Sequence, residues 1–312
     1  MGVFLRILSA LLLLICSAAA FGGLRAALAG RPPLRGELVD IGGRRLRLVC
    51  EGPRDGRPLI VMESGIFGFA ADWATVQKVL AERGLRSCAY DRAGLGFSEP
   101  GPYPRDGLAV VADLEKLLQA RGETGPLILV GHSMAGLHTR LFVLRNPQRV
   151  KGLVLVDAAS PDAMRGAEGR QREALFRAVG RAATAAGKLG LMKAAAPWAG
   201  DPIGLEGPAH AEKVYFWADN RTIAAATEET FQAPAAAAQV RAAGRLDPGL
   251  PVAAITEGRL RGPDDARLEG AHRSRHGWSA NLPHATHASM LGPSYAPVIA
   301  DGVEHVLKAA GY

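Results

Sequence analysis

One segment restricts the possible folds more than any other: a short apolar run, a turn with a central serine, and then a helix. Residues 127–130 are all apolar, GHSMAG follows at 131–136, and a helical pattern continues to residue 146. An uninterrupted apolar run is typical of a parallel strand buried on both faces. The small residues around Ser133 let strand and helix approach each other, which predicts a sharp turn that exposes the serine hydroxyl. The alternative is a serine that caps a helix after a buried strand.

The chain after residue 35 repeats this order of strand and helix, which is typical of an α/β fold. Residues 37–41 and 44–50 alternate apolar and polar side chains around Gly42-Gly43 and predict a tight hairpin. Asp72 stands before a helical pattern and is placed to cap it. Other apolar runs predict strands at 59–62, 87–90, 153–156 and 251–256, and helical spacing predicts helices at 110–118 and 294–310.

A change in composition divides the sheet-forming sequence into two parts. Residues 159–249 are rich in alanine, are broken by Gly and Pro, and contain no strand-like run. We expect a helical cap here, inserted into one α/β-type domain whose first part covers 35–158 and whose second part covers 250–312. With 312 residues the chain is long enough for one large domain of this kind.

Residues 1–30 form a separate N-terminal segment. Arg6 precedes an uncharged, largely apolar run of 18 residues from 7 to 24, and Gly-Arg-Pro-Pro at 30–33 separates this run from the domain. A basic start followed by such a run predicts a signal peptide or a single membrane anchor. We therefore expect an exported or membrane-anchored protein, in a periplasmic or other extracytoplasmic location. The sequence leaves cleavage and anchoring both open.

The formal charge of +7 comes mostly from arginines that are scattered along the chain. A nucleic-acid partner is not expected, because nucleic-acid binding favours a concentrated basic stripe. A weak attraction to anionic membrane surfaces fits the charge better. The chain has no helix with two histidines at metal-binding spacing and no Cys/His cluster, so we expect neither a metal nor another cofactor.

A serine hydroxyl is a weak nucleophile and requires a base, an acid that orients the base, and donors for the oxyanion. In the order nucleophile, acid, histidine, the base lies late in the chain, just before the final helix. His287 fits this position best, whereas His284 precedes it too closely to follow the last strand. We expect His287 to be the base for Ser133, and the alternative is a surface histidine.

Backbone N–H groups are the expected oxyanion donors. One is predicted in the turn ESGIFG at 63–68, which follows a buried strand, and the other directly follows the serine. We expect these donors to be the N–H groups of Ile66 and Met134. The alternative for 63–68 is a plain connecting turn.

Two positions compete for the acid of the triad. Asp157 ends a predicted strand 24 residues after Ser133 (157 − 133), at the sheet edge where open α/β sheets build their sites. Glu257 ends the next strand, with Asp264 and Asp265 further along the loop, but no carboxylate stands in the short turn directly after that strand. We expect Asp157 to be the acid, with Glu257 as the alternative. Asp157 could also serve only as a cap for the segment that follows it.

Five short motifs after residue 35 carry a resemblance to a known family. They are ESG at 63–65, Trp73, DRAGLGFS at 91–98, GHSMAG at 131–136 and VLVDAASP at 154–161. With them, nearly the whole chain after residue 35 resembles the bacterial α/β-hydrolase superfamily with a serine nucleophile and a helical cap. The resemblance implies a mostly parallel eight-stranded sheet with helices on both faces and an inserted helical cap. It also implies that Asp91 and Arg92 fix a loop and take no part in catalysis.

The resemblance also bears on the acid and on the reaction. Some of the related haloalkane dehalogenases carry their acid at the end of the same strand, which supports Asp157. Those enzymes and epoxide hydrolases use an aspartate nucleophile, so Ser133 argues against both activities. A carboxylesterase-type acyl hydrolase acting on a small-molecule ester is the favoured function. The alternatives are an amidase or peptidase on the same triad, and a non-catalytic binding protein that retains the fold.

A disulfide is implied by the strand order of the fold. In that order the second and fourth strands are antiparallel neighbours, and Cys50 and Cys88 fall on these two strands. A cross-strand disulfide is feasible if the two residues are in register, and export would permit it. The alternative is two buried free thiols.

Overall fold

The computed structural model describes residues 2–260, 262 and 265–312. Within these residues, eight strands form one sheet in the spatial order 1-2-4-3-5-6-7-8, where the numbers follow the chain. The second strand is antiparallel to both of its neighbours, and all other neighbours are parallel. The strands are β1 (Glu37–Asp40), β2 (Arg45–Glu51), β3 (Leu59–Glu63), β4 (Ser87–Tyr90), β5 (Leu127–His132), β6 (Val150–Val156), β7 (Val252–Glu257) and β8 (Gly277–Leu282).

Within the described residues, at least one α-helix separates each pair of consecutive strands from β3 onward, which confirms the predicted α/β architecture. They are α1 (Gly2–Ala29), α2 (Ala74–Glu82), α3 (Gly107–Ala120), α4 (Ala135–Arg145), α5 (Gly166–Lys188), α6 (Leu191–Ala199), α7 (Gly207–Trp217), α8 (Asn220–Phe231), α9 (Ala233–Ala243), α10 (Glu269–Arg273) and α11 (Ala296–Ala309). The prediction that Asp72 caps α2 is wrong. Asp72 lies inside a short 3₁₀ turn, Ala70–Trp73, and no side chain caps α2.

Helices cover both faces of the sheet. Side chains alternate along β5, so that Leu129 packs on one face and Ile128 on the other. The face of Leu129 is covered by α3, α4 and α9, through side chains such as Leu141 and Ala237. The opposite face is covered by α2 and α11, through side chains such as Val303. The strands between these two layers are the uninterrupted apolar runs of the sequence, because both of their faces are buried.

Five helices, α5 to α9, lie between β6 and β7, where the sequence predicts a helical cap. α5 packs on α8, and α7 contacts the 3₁₀ turn that follows β3. The rings of Phe69, before that turn, and Phe216, on α7, meet edge to face with centroids 5.6 Å apart. α9 packs instead on α3 and α4 of the sheet domain. The boundaries 159 and 249 of a separate cap stay a prediction.

The N-terminal helix α1 contains a segment, Gly2–Leu24, that is long and apolar enough to cross a membrane, with a mean hydropathy of 2.4. The best 18-residue window of this segment has no buried side chain. Near its end, α1 packs on α6, and a Cβ at Gly22 would lie 2.4 Å from the backbone of Ala194. A signal sequence and a membrane anchor have this length and composition in common, so both predictions remain open.

The antiparallel register of β2 and β4 places Cys50 directly opposite Cys88. The two residues form a disulfide that closes a segment of 38 residues in sequence separation. Cys16, on α1, is an exposed free cysteine. The disulfide therefore ties the antiparallel edge of the sheet to its parallel part.

Candidate active site

Ser133 occupies the sharp turn between β5 and α4. Its backbone φ of 55° is in the left-handed region, which residues other than glycine rarely adopt. The turn is held by backbone hydrogen bonds: the Ser133 N–H donates to the Val156 carbonyl at 3.1 Å, and the Ser133 carbonyl accepts from the Ala159 N–H at 2.8 Å. A Cβ at Gly65 would lie 2.7 Å from the Cβ of Ser133. The close approach of the ESG turn to the serine therefore requires glycine.

Asp157 and His287 are in direct contact. The Nδ1 of His287 lies 2.5 Å from Oδ2 of Asp157 and donates to it when it carries the proton. Asp157 directly follows β6 with a φ of 40°, and its N–H donates to the Ile255 carbonyl of the neighbouring strand at 2.7 Å. The His287 side chain is half exposed, whereas that of Asp157 is 7% exposed. A buried carboxylate thus orients an imidazole whose other nitrogen is free to face solvent or substrate.

Ser133 and His287 line one cavity of about 150 Å³. No hydrogen bond joins the serine hydroxyl to the imidazole among the described residues, and such bonds are often long before substrate binds. His132 packs against His287 with ring centroids 4.5 Å apart, and its Nε2–H donates to the His287 carbonyl at 2.9 Å. Burial, assisted by the nearby His287, lowers the pKa of His132 to about 3. His132 is therefore a neutral support for the loop of His287.

The predicted oxyanion donors, Ile66 and Met134, lie on either side of the serine turn. Ile66 lines the 150 Å³ cavity, and Met134 follows Ser133 at the start of α4. Within the described part of the chain, neither N–H has a hydrogen-bond acceptor. Backbone N–H groups without an acceptor, on the residue next to Ser133 and on one that shares its cavity, are the kind of donor that an oxyanion requires.

Arg92 fixes the loop that carries Ile66, in the role that the resemblance implies for it. Its guanidinium donates to the Ser64 carbonyl at 2.5 Å and to the Gly65 carbonyl at 3.0 Å. It also pairs with Glu229 of α8 at 2.8 Å, with both side chains almost fully buried. Asp91 holds the adjacent turn by accepting from the N–H groups of Ala70 and Phe97. Neither Asp91 nor Arg92 lines the cavity beside Ser133.

Glu257, the alternative acid, ends β7 but makes no hydrogen bond to His287. Its carboxylate lies 3.8 Å from the guanidinium of Arg267 and is 28% exposed. Asp264 lies outside the described residues. Asp265 accepts from Arg267 at 2.7 Å. Of these carboxylates, Asp157 is the one that the structure brings to His287.

The family model for the α/β-hydrolase fold matches residues 58–190. The chain is also similar to Cfl2 from Burkholderia cenocepacia, whose crystal structure superposes with a TM-score of 0.68 at 22% identity, covering 88% of this chain and 98% of Cfl2. The chain adopts the α/β-hydrolase fold.

Two curated relatives match parts of this chain. The putative carbamate hydrolase RutD of Caulobacter segnis is 37% identical over 115 residues, which are 35% of this chain and 42% of RutD. The probable transporter efuK of Hormonema carpetanum is 37% identical over 129 residues, which are 39% of this chain and 18% of efuK. The chain thus spans less than half the length of these relatives.

Arg267 is a residue of the candidate site that the sequence did not reveal. Its Nη1 donates to Oδ1 of Asp157 at 2.8 Å and to the Glu257 carbonyl at 3.0 Å. Burial raises the pKa of Asp157, but the hydrogen bonds and charges of His287 and Arg267 outweigh burial and lower it overall. The only signal in the sequence was an Asp and an Arg two residues apart, at 265 and 267, which does not tell where the guanidinium points.

A buried ion pair forms part of the wall of the 150 Å³ cavity beside Ser133. The Lys213 ammonium of α7 lies 2.8 Å from the Asp72 carboxylate, and both side chains are about 5% exposed. Burial raises the pKa of Asp72, and the charge of Lys213 opposes this rise. The pair joins the inserted helices to the sheet domain at the site. The sequence missed it because the two residues are far apart along the chain.

Proposed function

We propose that this chain is a serine hydrolase of carboxylic esters, with Ser133 as nucleophile, His287 as base and Asp157 as the orienting acid. The observation that carries the proposal is the 2.5 Å contact between His287 and Asp157, at the edge of a cavity that Ser133 also lines. The match of residues 58–190 to the α/β-hydrolase family model supports hydrolysis, and the strained turn at Ser133 supports its role as nucleophile.

The reaction proceeds through an acyl-enzyme. The Ser133 hydroxyl attacks the ester carbonyl while Nε2 of His287 accepts its proton, and the tetrahedral oxyanion receives hydrogen bonds from the Ile66 and Met134 N–H groups. The C–O bond to the alcohol then breaks, and His287 returns the proton to the departing alcohol. Water, activated by the same imidazole, attacks the acyl-enzyme and releases the carboxylic acid, which restores the serine hydroxyl. Asp157 stays ionised and holds the imidazole in one tautomer throughout.

The size and lining of the cavity favour a short acyl group. Its volume of about 150 Å³ is below the roughly 300–1,000 Å³ of sites for drug-sized ligands. Ile203 and Leu291 contribute apolar surface to it, and Lys213 and Asp72 close it on another side. We therefore expect acetyl and butyryl esters to react faster than esters of eight or more carbons.

A carbamate or amide substrate is the second candidate, because one relative is a putative carbamate hydrolase. The same nucleophile, base and oxyanion donors would serve this bond. The leaving amine is poorer than an alcohol and needs full protonation by His287 as it departs. A non-catalytic binding protein remains the alternative outside enzymes.

A panel of substrates tests the proposal. The full chain is assayed with p-nitrophenyl acetate, butyrate, octanoate and decanoate, and with the p-nitrophenyl carbamate and the anilide of matching acyl length. The expected result is turnover of the short esters that a fluorophosphonate abolishes. Turnover of the carbamate or the anilide at a higher kcat/KM than the ester would favour the second candidate. Reaction with none of them, together with no labelling by the fluorophosphonate, would indicate the binding protein.

We further propose that the segment 1–30 exports the hydrolase or anchors it to a membrane, so that the domain lies outside the cytoplasm. The apolar helix α1 and the Cys50–Cys88 disulfide both support this, because disulfides persist in oxidising compartments. Cell fractionation with N-terminal sequencing tests it. A chain that begins within residues 18–30 indicates cleavage, an intact chain in the membrane fraction indicates anchoring, and an intact soluble chain in the cytosol would contradict the proposal.

A further inference from the structure

A second and much larger cavity, of about 910 Å³, lies away from the catalytic serine. It is bordered by α4, by the end of α9, by the short turn after β6 and by α10. It shares no lining residue with the 150 Å³ cavity of Ser133 and His287. Any ligand held there would therefore not compete with a substrate at the serine.

Arg140 of α4 lines this cavity and is 3% exposed. Its Nη1 donates to the carbonyls of Gly136 at 3.0 Å and Ala159 at 2.8 Å. Its Nη2 is buried and has no hydrogen-bond partner among the described residues. Burial lowers the pKa of the Arg140 guanidinium to about 10, and the nearby Glu269 carboxylate opposes this shift. An unpaired N–H of a buried cation costs free energy, which an anionic acceptor would recover.

The lining of this cavity carries a net positive charge. Five arginines and three carboxylates line it. Arg165 pairs with Asp162 at 3.3 Å, and Arg273 pairs with Glu269 at 3.1 Å, so these four groups largely balance. The cations without an ion-pair partner in the described structure are Arg140, Arg241 and Arg245, against one remaining carboxylate, Asp247.

Apolar side chains make up another part of the wall. Leu144 and Leu246 are partly exposed there, beside the buried Val240 and Val252. A ligand with an anionic group and an apolar body would fit both parts, because the charge would meet the arginines while the body covers the leucines.

We propose that this cavity is an anion-binding site that takes a phosphate or carboxylate group on a partly apolar molecule, with Arg140 as the central ligand-binding residue and Arg245 at the rim. The carrier of the anion is either a lipid headgroup or a small soluble metabolite, and the two share the chemistry that the arginines recognise. The site is independent of the proposed hydrolysis.

Isothermal titration of the full chain tests the site with three probes: inorganic phosphate, octyl phosphate and the water-soluble lipid dihexanoylphosphatidylglycerol. The variants are Arg140→Met and Arg245→Ala, and the matched control is Arg145→Ala, which removes a charge from the same helix outside the cavity. Arg245 is exposed and without an ion-pair partner in the described structure, so its loss leaves the fold intact even if Arg140→Met does not fold. A fluorophosphonate at the serine should leave the titration unchanged.

The expected result is saturable binding of octyl phosphate that is weakened about ten-fold or more by Arg140→Met, and several-fold by Arg245→Ala, with no change in Arg145→Ala. Tighter binding of the lipid than of octyl phosphate would assign the headgroup as the source, and the reverse order would assign a soluble ligand. Binding of none of the probes would overturn the proposal, as would equal binding by wild type and Arg245→Ala.

Discussion

The Nη1 of Arg267 donates a 2.8 Å hydrogen bond to Oδ1 of Asp157, while the second oxygen of the same carboxylate meets Nδ1 of His287 at 2.5 Å. Both oxygens of the Asp157 carboxylate thus accept hydrogen bonds, one of them from the permanently charged Arg267 guanidinium. Asp265 in turn pairs with the other side of the Arg267 guanidinium at 2.7 Å. Asp157, at the end of β6, thus orients the imidazole, while Arg267 and Asp265, in the segment between β7 and α10, hold Asp157 in place.

Replacing Arg267 with Met should lower kcat by about ten-fold, the equivalent of one charge-assisted hydrogen bond. Arg267 contributes to the lowered pKa of Asp157, so without it the Asp157–His287 pair takes up a proton at higher pH. The acid limb of kcat/KM should therefore move to higher pH. Arg267→Lys retains the charge and should keep the limb near its wild-type position. An unchanged pH profile in the Met variant would mean that Arg267 only supports the loop.

Asp157→Asn should lower kcat by about 10⁴ at neutral pH, because an amide stabilises the wrong imidazole tautomer. Glu257→Gln is the matched control, since its side chain makes no hydrogen bond to His287. It should retain nearly all of the activity. The measurement is kcat on p-nitrophenyl butyrate with circular dichroism to verify folding. A crippled Glu257→Gln beside a near-normal Asp157→Asn would move the acid to the later strand.

Ser133→Ala should lower kcat by a factor of about 10⁴ to 10⁶ while the fold is retained. A fluorophosphonate should label one site in the wild type, and peptide mapping should find it at Ser133. Ser279→Ala removes an exposed hydroxyl on β8 and serves as the control with normal labelling. Labelling that persists in Ser133→Ala would disprove the assigned nucleophile.

His132 should make the protein less stable as the solution is acidified. Its pKa is about 3 in the folded chain against an ordinary value of 6.5, so between these values the unfolded chain binds a proton that the folded chain does not. This contribution to stability is present above pH 6.5 and is lost as the pH falls toward 3, at up to about 1.4 kcal/mol per pH unit. Urea unfolding of wild type and His132→Gln at pH 4, 5, 6 and 7 measures it. Parallel pH dependences in the two proteins would contradict this prediction.

The Cys50–Cys88 disulfide closes a segment of 38 residues, and removing it should cost about 4 kcal/mol in the chain-entropy account. The double variant Cys50→Ser/Cys88→Ser should therefore unfold at lower urea than wild type. Cys16→Ser is the control and should leave the midpoint unchanged. Titration of unreduced, unfolded full-length protein should find one thiol per chain, that of Cys16. Three reactive thiols would show that the bond does not form.

The sequence by itself determined the order of strands and helices, the sharp serine turn and the position of His287, because each of these follows from the local spacing of residue types along the chain. Uninterrupted apolar runs predicted the central strands, and the confirmed sheet follows from burying both faces of those runs between helices. Asp72 is the instructive failure. Its position before a helix predicted a cap, but a buried lysine from an inserted helix pairs with it instead.

Only the tertiary structure decided which carboxylate meets His287, where the Arg267 guanidinium points, and that Arg140 faces a cavity with one nitrogen unpaired. These contacts join residues whose distance in space depends on strand order and on how the inserted helices pack. A side chain several bonds long can reach any of several neighbours from one backbone position. Local sequence patterns carry no information on which neighbour the side chain contacts, whereas the packed fold leaves space for only one of these contacts.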